Sequence, residues 1–343
     1  MYRTNNCGEL RLKDINKNVI LSGWINKIRK MKLYTFIDIR DYYGITQLII
    51  YKKINIKIKN EYLIKIKGKV IKRKKYNNKI KTGKIEILVK KIKILNKSKK
   101  LPFYIGEKKI NNNLFKYRYL YLRHSKIKEN LIFKFKIINL IRKFFIKKGF
   151  IELETPFLVK SSSEGARDFI IPYRKKKGLF YSLPQSPQIF KQLFMIGGFD
   201  KYYQIVKCFR DEDYRLDRQP EFTQLDLEMS FIKKEDIFKL IEFLIKYLLY
   251  KIFKLKKINF IKLSYKKVIK YYKTDKPDLR FKLFKIKIKK KYLKNNKKKK
   301  IDTFIIPNYY NIKNKKKINK ILKKNKNILI YNKKKIKKKY IIK

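Results

Sequence analysis

The sequence predicts an α+β protein: a small β-barrel in residues 1–100, a mixed helix-and-strand domain, and a low-complexity tail. Three observations carry this. Short β-rich runs broken by turn residues fill the first part of the chain. A helix pattern and a cluster of chemically varied polar residues occupy 129–280. Beyond 280 the composition falls back to mainly Lys, Asn and Ile, and no glycine follows Gly198.

The barrel rests on runs at Val19–Ile25, Thr35–Asp41, Ile45–Ile50, Tyr62–Val70 and Ile85–Lys91, with turn signals at Tyr43-Gly44 and Lys81-Thr82-Gly83. Five short strands in that span suit a closed barrel, and the OB-fold is the common five-stranded form that binds nucleic acid. Within Thr35–Arg40, Ile37 and Ile39 share one strand face and Phe36, Asp38 and Arg40 the other. An aromatic on an otherwise polar face is a base-stacking candidate. The alternative is that Phe36 plugs the barrel.

Residues 101–128, with Pro102 and Gly106, read as a hinge. Glu129–Lys148 predicts a helix with Ile137, Leu140, Ile141 and Phe144 on one face and Gly149 as its stop. A strand over Phe150–Thr155 halts at Pro156. Ile237–Tyr250 is interrupted by Lys239, Glu242 and Lys246, so its apolar residues form one face of a helix and not a membrane span.

The chain of 343 residues carries a net charge of +69. Lys and Arg neutralise phosphates, so a nucleic-acid partner is one reading. A codon bias toward A and T explains a lysine excess equally well, and charge alone does not name the partner. Two cysteines without a CxxC pair and a single histidine, His124, argue against disulfides, a zinc site and a Ser/His/Asp triad. Met1–Leu10 has no apolar signal core, and the chain reads as cytoplasmic.

Chemistry concentrates in residues 161–230, above all in Cys208-Phe-Arg-Asp-Glu-Asp-Tyr-Arg-Leu-Asp-Arg-Gln-Pro-Glu-Phe-Thr-Gln-Leu-Asp-Leu-Glu228. Strand-like segments flank a charged loop. Arg210 at a strand end can grip a phosphate oxygen with its planar fork. Phe222 can stack on a base. Gln224, Asp226 and Glu228 alternate along one strand face and point into a common cleft. The plain alternative is a solvated charged hairpin.

This segment resembles motif 2 of class II aminoacyl-tRNA synthetases, in the form found in bacterial aspartyl enzymes. Gly165-Ala-Arg-Asp168 after Glu164 and Gln185-Ser-Pro-Gln-Ile-Phe-Lys-Gln192 also match the aspartyl pattern. The helix before Gly149–Pro156 resembles motif 1, and Asp275-Lys-Pro-Asp-Leu-Arg280 is again similar to the aspartyl family. Gly23-Trp24 and Phe36-Ile-Asp-Ile-Arg-Asp41 resemble its anticodon-binding domain. The resemblance implies an OB-fold barrel over 1–100, a hinge over 101–128, an antiparallel class II sheet flanked by helices over 129–280, and an insertion-domain remnant over 281–343.

It also implies a reaction: ATP and aspartate condense to aspartyl-adenylate, and the aspartyl group moves to the 3′ end of tRNA(Asp), with tRNA(Asn) a second candidate. By similarity Arg210 is the catalytic contact to the α-phosphate and to the substrate carboxylate. Asp211, Glu212 and Gln219 hold ATP, and Phe222 stacks on adenine. Glu164, Gln188, Ile189, Phe190 and Asp226 surround aspartate, and Lys191 pairs with its side-chain carboxylate. A cation there rejects asparagine, whose amide cannot compensate a desolvated lysine. Arg29, Phe36, Gln47, Glu86, Arg215 and Arg218 contact tRNA. The family further implies a homodimer and Mg²⁺, although its usual metal-binding carboxylate has no counterpart here.

Three departures qualify these expectations. The glycine-rich motif 3 is missing, which implies a chain that stops inside the insertion domain and activates aspartate poorly. Ser161-Ser-Ser163 precedes Glu164 where the family often places a proline, and Met31 stands where discriminating enzymes often have histidine. The alternatives are a non-catalytic tRNA-binding remnant, a paralogue making asparagine, and a generic basic RNA-binding protein. Phe36 and Gln47 argue against the paralogue, which needs no anticodon reader. The pocket chemistry of Arg210–Glu228 argues against the last.

Overall fold

The computed structural model describes residues 1–51, 56–103, 105, 116–161, 165–213, 215, 216, 218–272, 274–279, 285, 286, 303 and 304. The chain divides into two compact units, Met1–Ile138 and Asn139–Lys343.

The first unit is the expected barrel. Its strands are β1 (Asn18–Lys30), β2 (Tyr34–Arg40), β3 (Ile45–Tyr51), β4 (Leu63–Lys72) and β5 (Ile85–Asn96), closed in the order β1-β2-β3-β5-β4. Alternation drives it: Val19, Leu21, Ile25, Ile37, Ile39, Leu48, Ile64, Ile66 and Ile87 point inward and are buried. All neighbours pair antiparallel except β3 and β5, which run parallel and are in register only at Leu48↔Ile87 and Ile49↔Leu88. Several strands outrun the expected limits because polar residues continue the ladder. β1 passes a register shift between Ile25 and Lys27 and pairs with β2 out to Lys30↔Thr35. Gly68 lets β4 approach β5, since a Cβ there would lie 2.5 Å from the Leu88 carbonyl oxygen.

The expected hinge is partly helical. α1 (Arg118–Tyr121) and the start of α2 (Ser125–Lys147) belong to the barrel's unit. Buried Glu61 explains the attachment. Its backbone is left-handed, φ 66°, and its carboxylate accepts from both Arg40 and Arg123. Arg123 also lies 5.2 Å from the centre of the Trp24 ring.

The second unit is built on β6 (Ile151–Glu152), β9 (Lys201–Phe209) and β10 (Glu221–Met229), in the order β10-β9-β6. β9 and β10 are antiparallel in unbroken register from Glu221↔Phe209 to Met229↔Lys201. The sheet is not wholly antiparallel as expected: β6 pairs parallel to β9, because the chain makes a long crossover between them. The predicted strand Phe150–Thr155 shrinks to Ile151–Glu152, with Thr155 Oγ1 instead donating to Gln204 Oε1 at 3.1 Å. The crossover holds the small hairpin β7 (Ile170–Pro172) and β8 (Phe180–Ser182), then α3 (Gln188–Ile196).

Helices α2 and α4 (Lys234–Phe253) cover one face of this sheet, and α5 (Tyr265–Tyr272) follows. Phe144, Phe145, Phe150, Tyr203, Leu240 and Leu244 form the core, packed against Leu225, Leu227 and Met229 of β10. Gly149 ends α2 at φ +75°, as its position predicts. In the tail, β11 (Lys285–Ile286) pairs antiparallel with β12 (Thr303–Phe304). Among the described residues no helix is long and apolar enough to cross a membrane.

Candidate active site and nucleic-acid interface

The register of β9 and β10 sorts their side chains by face. Leu225, Leu227 and Met229 enter the core, so Phe222, Gln224, Asp226 and Glu228 occupy the other face, opposite Cys208, Val206, Gln204 and Tyr202. α3 delivers Lys191 to this polar face. Lys191 Nζ lies 3.0 Å from Asp226 Oδ1 and 3.3 Å from Glu228 Oε2. Both Lys191 and Asp226 are largely buried, and Gln224 Nε2 donates to the same Asp226 oxygen at 3.2 Å. Burial pushes the Asp226 carboxyl above the usual range despite Lys191. Its Oδ2 is buried with no hydrogen-bond partner among the described residues. Beneath the pair, Tyr202 OH donates to Gln204 Oε1 at 2.8 Å.

Arg210 stands at the end of β9 on the same face, its amide donating to the Pro220 carbonyl at 2.9 Å. Its guanidinium is 5.1 Å from the centre of the Phe222 ring. Its Nε is buried with no hydrogen-bond partner among the described residues. An unpaired buried donor costs about 1–3 kcal/mol, so Arg210 and Asp226 each hold a polar atom that an incoming ligand can satisfy. Cys208 lies behind them, its thiol pushed up to about 11 by burial, which leaves it no nucleophile.

The flanking segments place the other predicted residues. Asp211 bridges Arg167, its amide donating to the Arg167 carbonyl at 3.0 Å. Glu212 accepts from Arg218, so a residue assigned to ATP and one assigned to tRNA are here each other's partner. Arg215 and Gln219 are exposed. Gln188 and Phe190 are half-buried on α3, whereas Ile189 is 54% exposed. Glu164 lies outside the described residues; Gln185 is buried and bonds both the Ala166 backbone and Asp168. Sequence reasoning gave no role to Gln204 or Gln185. Their signal was present: a glutamine inside an apolar strand, or beside two prolines, needs a buried partner.

On the barrel, four predicted residues come together through one network. Arg29 donates to Asp38 Oδ1 at 2.9 Å and to Gln47 Oε1 at 2.8 Å, and Gln47 Nε2 donates to Glu86 Oε2 at 2.7 Å. The Arg29 guanidinium lies 5.9 Å from the centre of the Phe36 ring. Phe36 is half-exposed while Ile37 and Ile39 fill the interior, so the ring does not plug the barrel. Burial pushes the Glu86 carboxyl up, partly offset by the Gln47 hydrogen bond. Asp38 was not among the predicted contacts, although it shares the Phe36 face.

This geometry agrees with comparison to known proteins. The family described as class II tRNA synthetases (D, K and N) matches residues 111–339, and an OB-fold nucleic-acid-binding domain matches 19–95. The chain belongs to the class II tRNA synthetases. The aspartate–tRNA ligase of Mycoplasma mycoides is 52% identical over 292 residues, 82% of this chain and 50% of that protein. The aspartate–tRNA(Asp/Asn) ligase of Dictyoglomus turgidum is 51% identical over 82% of this chain and 50% of its own length. The chain thus spans about half the length of the curated relatives it matches. A crystal structure of asparaginyl-tRNA synthetase from Pyrococcus horikoshii with asparaginyl-adenylate superposes with a TM-score of 0.65 at 26% identity, covering 75% of this chain and 59% of that one.

The synthetase chemistry is commonly assisted by Mg²⁺. Among the described residues no group of three or more His, Cys, Asp or Glu side chains is placed to hold a metal ion. The described residues do not form a metal site.

Proposed function

We propose that this chain carries the aspartate-activating and tRNA-reading parts of an aspartate–tRNA ligase. The observation that carries the reading is the pair of buried, unpartnered polar atoms on one sheet face, Arg210 Nε and Asp226 Oδ2, with Lys191 beside them. Aspartate enters with its ammonium toward Asp226 and its side-chain carboxylate toward Lys191. Adenine lies on the Phe222 ring, and Arg210 bridges the α-phosphate and the reacting carboxylate. A carboxylate oxygen attacks the α-phosphorus and pyrophosphate leaves. Arg210 stabilises the charge that gathers on the phosphoryl oxygens, while the site holds the reactants in line. The tRNA 3′-terminal hydroxyl then attacks the mixed anhydride and AMP leaves.

Glu212 and Arg218, paired with each other here, turn to ATP and tRNA when these bind. Arg29, Phe36, Gln47 and Glu86 read the anticodon, Phe36 by stacking and the others by base edges. Two copies assemble as a homodimer in the cytoplasm. One relative is named an aspartate–tRNA(Asp/Asn) ligase, which makes both tRNAs candidates.

The test is aspartate-dependent ATP–pyrophosphate exchange on the purified chain. Exchange should fall at least a hundredfold in Arg210→Ala, the scale of losing one oxyanion-stabilising donor, about 10²–10³. Exchange that survives Arg210→Ala, or that asparagine supports as well as aspartate, would sink the reading. No exchange with anticodon stem-loop binding intact would reduce the function to RNA binding.

A further inference from the structure

The opposite side of the second unit carries a feature that aspartate activation does not use. The end of α2 and the later half of α4 frame an open groove of about 440 Å³, within the range of ligand pockets, about 300–1,000 Å³. Phe144 and Tyr247 form its floor as part of the core. Lys148, Phe243, Lys246, Tyr250, Leu255 and Lys256 form its walls.

Cations and rings alternate there. Lys148 Nζ lies 5.7 Å from the Phe243 ring centre, Lys246 Nζ 5.6 Å from that of Phe260, and Lys254 Nζ 5.8 Å from that of Tyr250. Phe243 and Tyr250 are 55% and 43% exposed, so solvent reaches part of each ring beside its lysine. From Phe243 to Thr274 the sequence has ten lysines and no acidic residue. Codon bias accounts for abundant lysine. Residues 303–343 lack carboxylates as well, so charge alone does not mark the groove; the aromatic walls beside its lysines do.

We propose that this groove binds single-stranded RNA. Phosphates would sit on Lys148, Lys246 and Lys256, and bases would stack on Phe243 and Tyr250. The inference does not rest on the ligase reading, and its test leaves aspartate out.

The test is a fluorescence-anisotropy titration of an eight-nucleotide oligouridylate against the full chain carrying Phe36→Ala, which removes the barrel's stacking ring. Adding Phe243→Ala and Tyr250→Ala should weaken binding about tenfold or more, the effect of losing stacked bases. Lys246→Glu with Lys256→Glu should weaken it again and flatten its salt dependence. None of the four side chains is buried, so circular dichroism should stay unchanged. Crosslinks from a 4-thiouridine oligonucleotide should fall within residues 243–260. Aromatic substitutions without effect, or crosslinks confined to the barrel, would overturn the proposal. So would phosphatidylglycerol vesicles whose binding depends on Phe243 and Tyr250 while oligouridylate binding does not.

Discussion

Lys191 holds Asp226 and Glu228 at once, and that makes it a structural residue as well as a candidate ligand. Lys191→Ala leaves a buried carboxyl without its cation and should cost about 3 kcal/mol in urea unfolding. The titration of Asp226 supplies a second check. Burial raises its folded pKa, so the native state binds more protons than the unfolded chain just above the ordinary carboxylate range. The stability this contributes is complete at low pH and is lost as pH rises through the raised value. Asp226→Asn abolishes the titration. Wild type should therefore lead the variant most in acid, by a margin that shrinks as pH climbs. On the barrel, Phe36 lies outside the core, so Phe36→Ala should leave the melting temperature unchanged. It should weaken binding of a tRNA(Asp) anticodon stem-loop by about 1–3 kcal/mol.

At the scale of elements, two glycines separate steric from conformational need. A Cβ at Gly68 meets the Leu88 carbonyl, whereas a Cβ at Gly149 meets nothing within 4 Å but sits at φ +75°. Gly68→Ala should cost about 1–3 kcal/mol by forcing β4 from β5. Gly149→Ala should cost about 1 kcal/mol through backbone strain alone. Both would be read from thermal melting. The barrel was legible because strict alternation such as Ile37 and Ile39 against Phe36 and Asp38 has one physical solution. The parallel entry of β6 was not, since strand direction follows from a crossover and leaves no mark in Ile151–Glu152. Of the candidate site, Gln224, Asp226 and Glu228 were readable from alternation along one strand, and Arg210 from its place at a strand end. The grip of Glu228 on Lys191 was not, because it joins a strand to a helix through space.

For the whole molecule, the charge of +69 sets the background against which every RNA contact is measured. Much of the affinity for any nucleic acid will come from counterion release, and log K should fall steeply with log salt. A stacking contact releases no counterions. Plots of log K against log salt for wild type and Phe36→Ala should therefore be parallel and displaced, and converging lines would assign Phe36 an electrostatic role. Abundant lysine makes binding easy, so specificity must come from the few residues that are not lysine. Those are the residues that cluster on the Phe36 face and around Arg210.

The parallel contact of β3 with β5 gives the barrel a seam. Only two registered positions stitch it, Leu48↔Ile87 and Ile49↔Leu88, and the next stitch is a side-chain one, Gln47 to Glu86. A nucleobase that takes the Gln47 amide or the Glu86 carboxylate takes it from this stitch. On the proposed function, reading a base and fastening the barrel would draw on the same two side chains, so RNA at this face would change how tightly the cylinder is sewn shut. Amide hydrogens of Leu48 and Leu88 should register that change before those of β1 and β4, where the ladder is long.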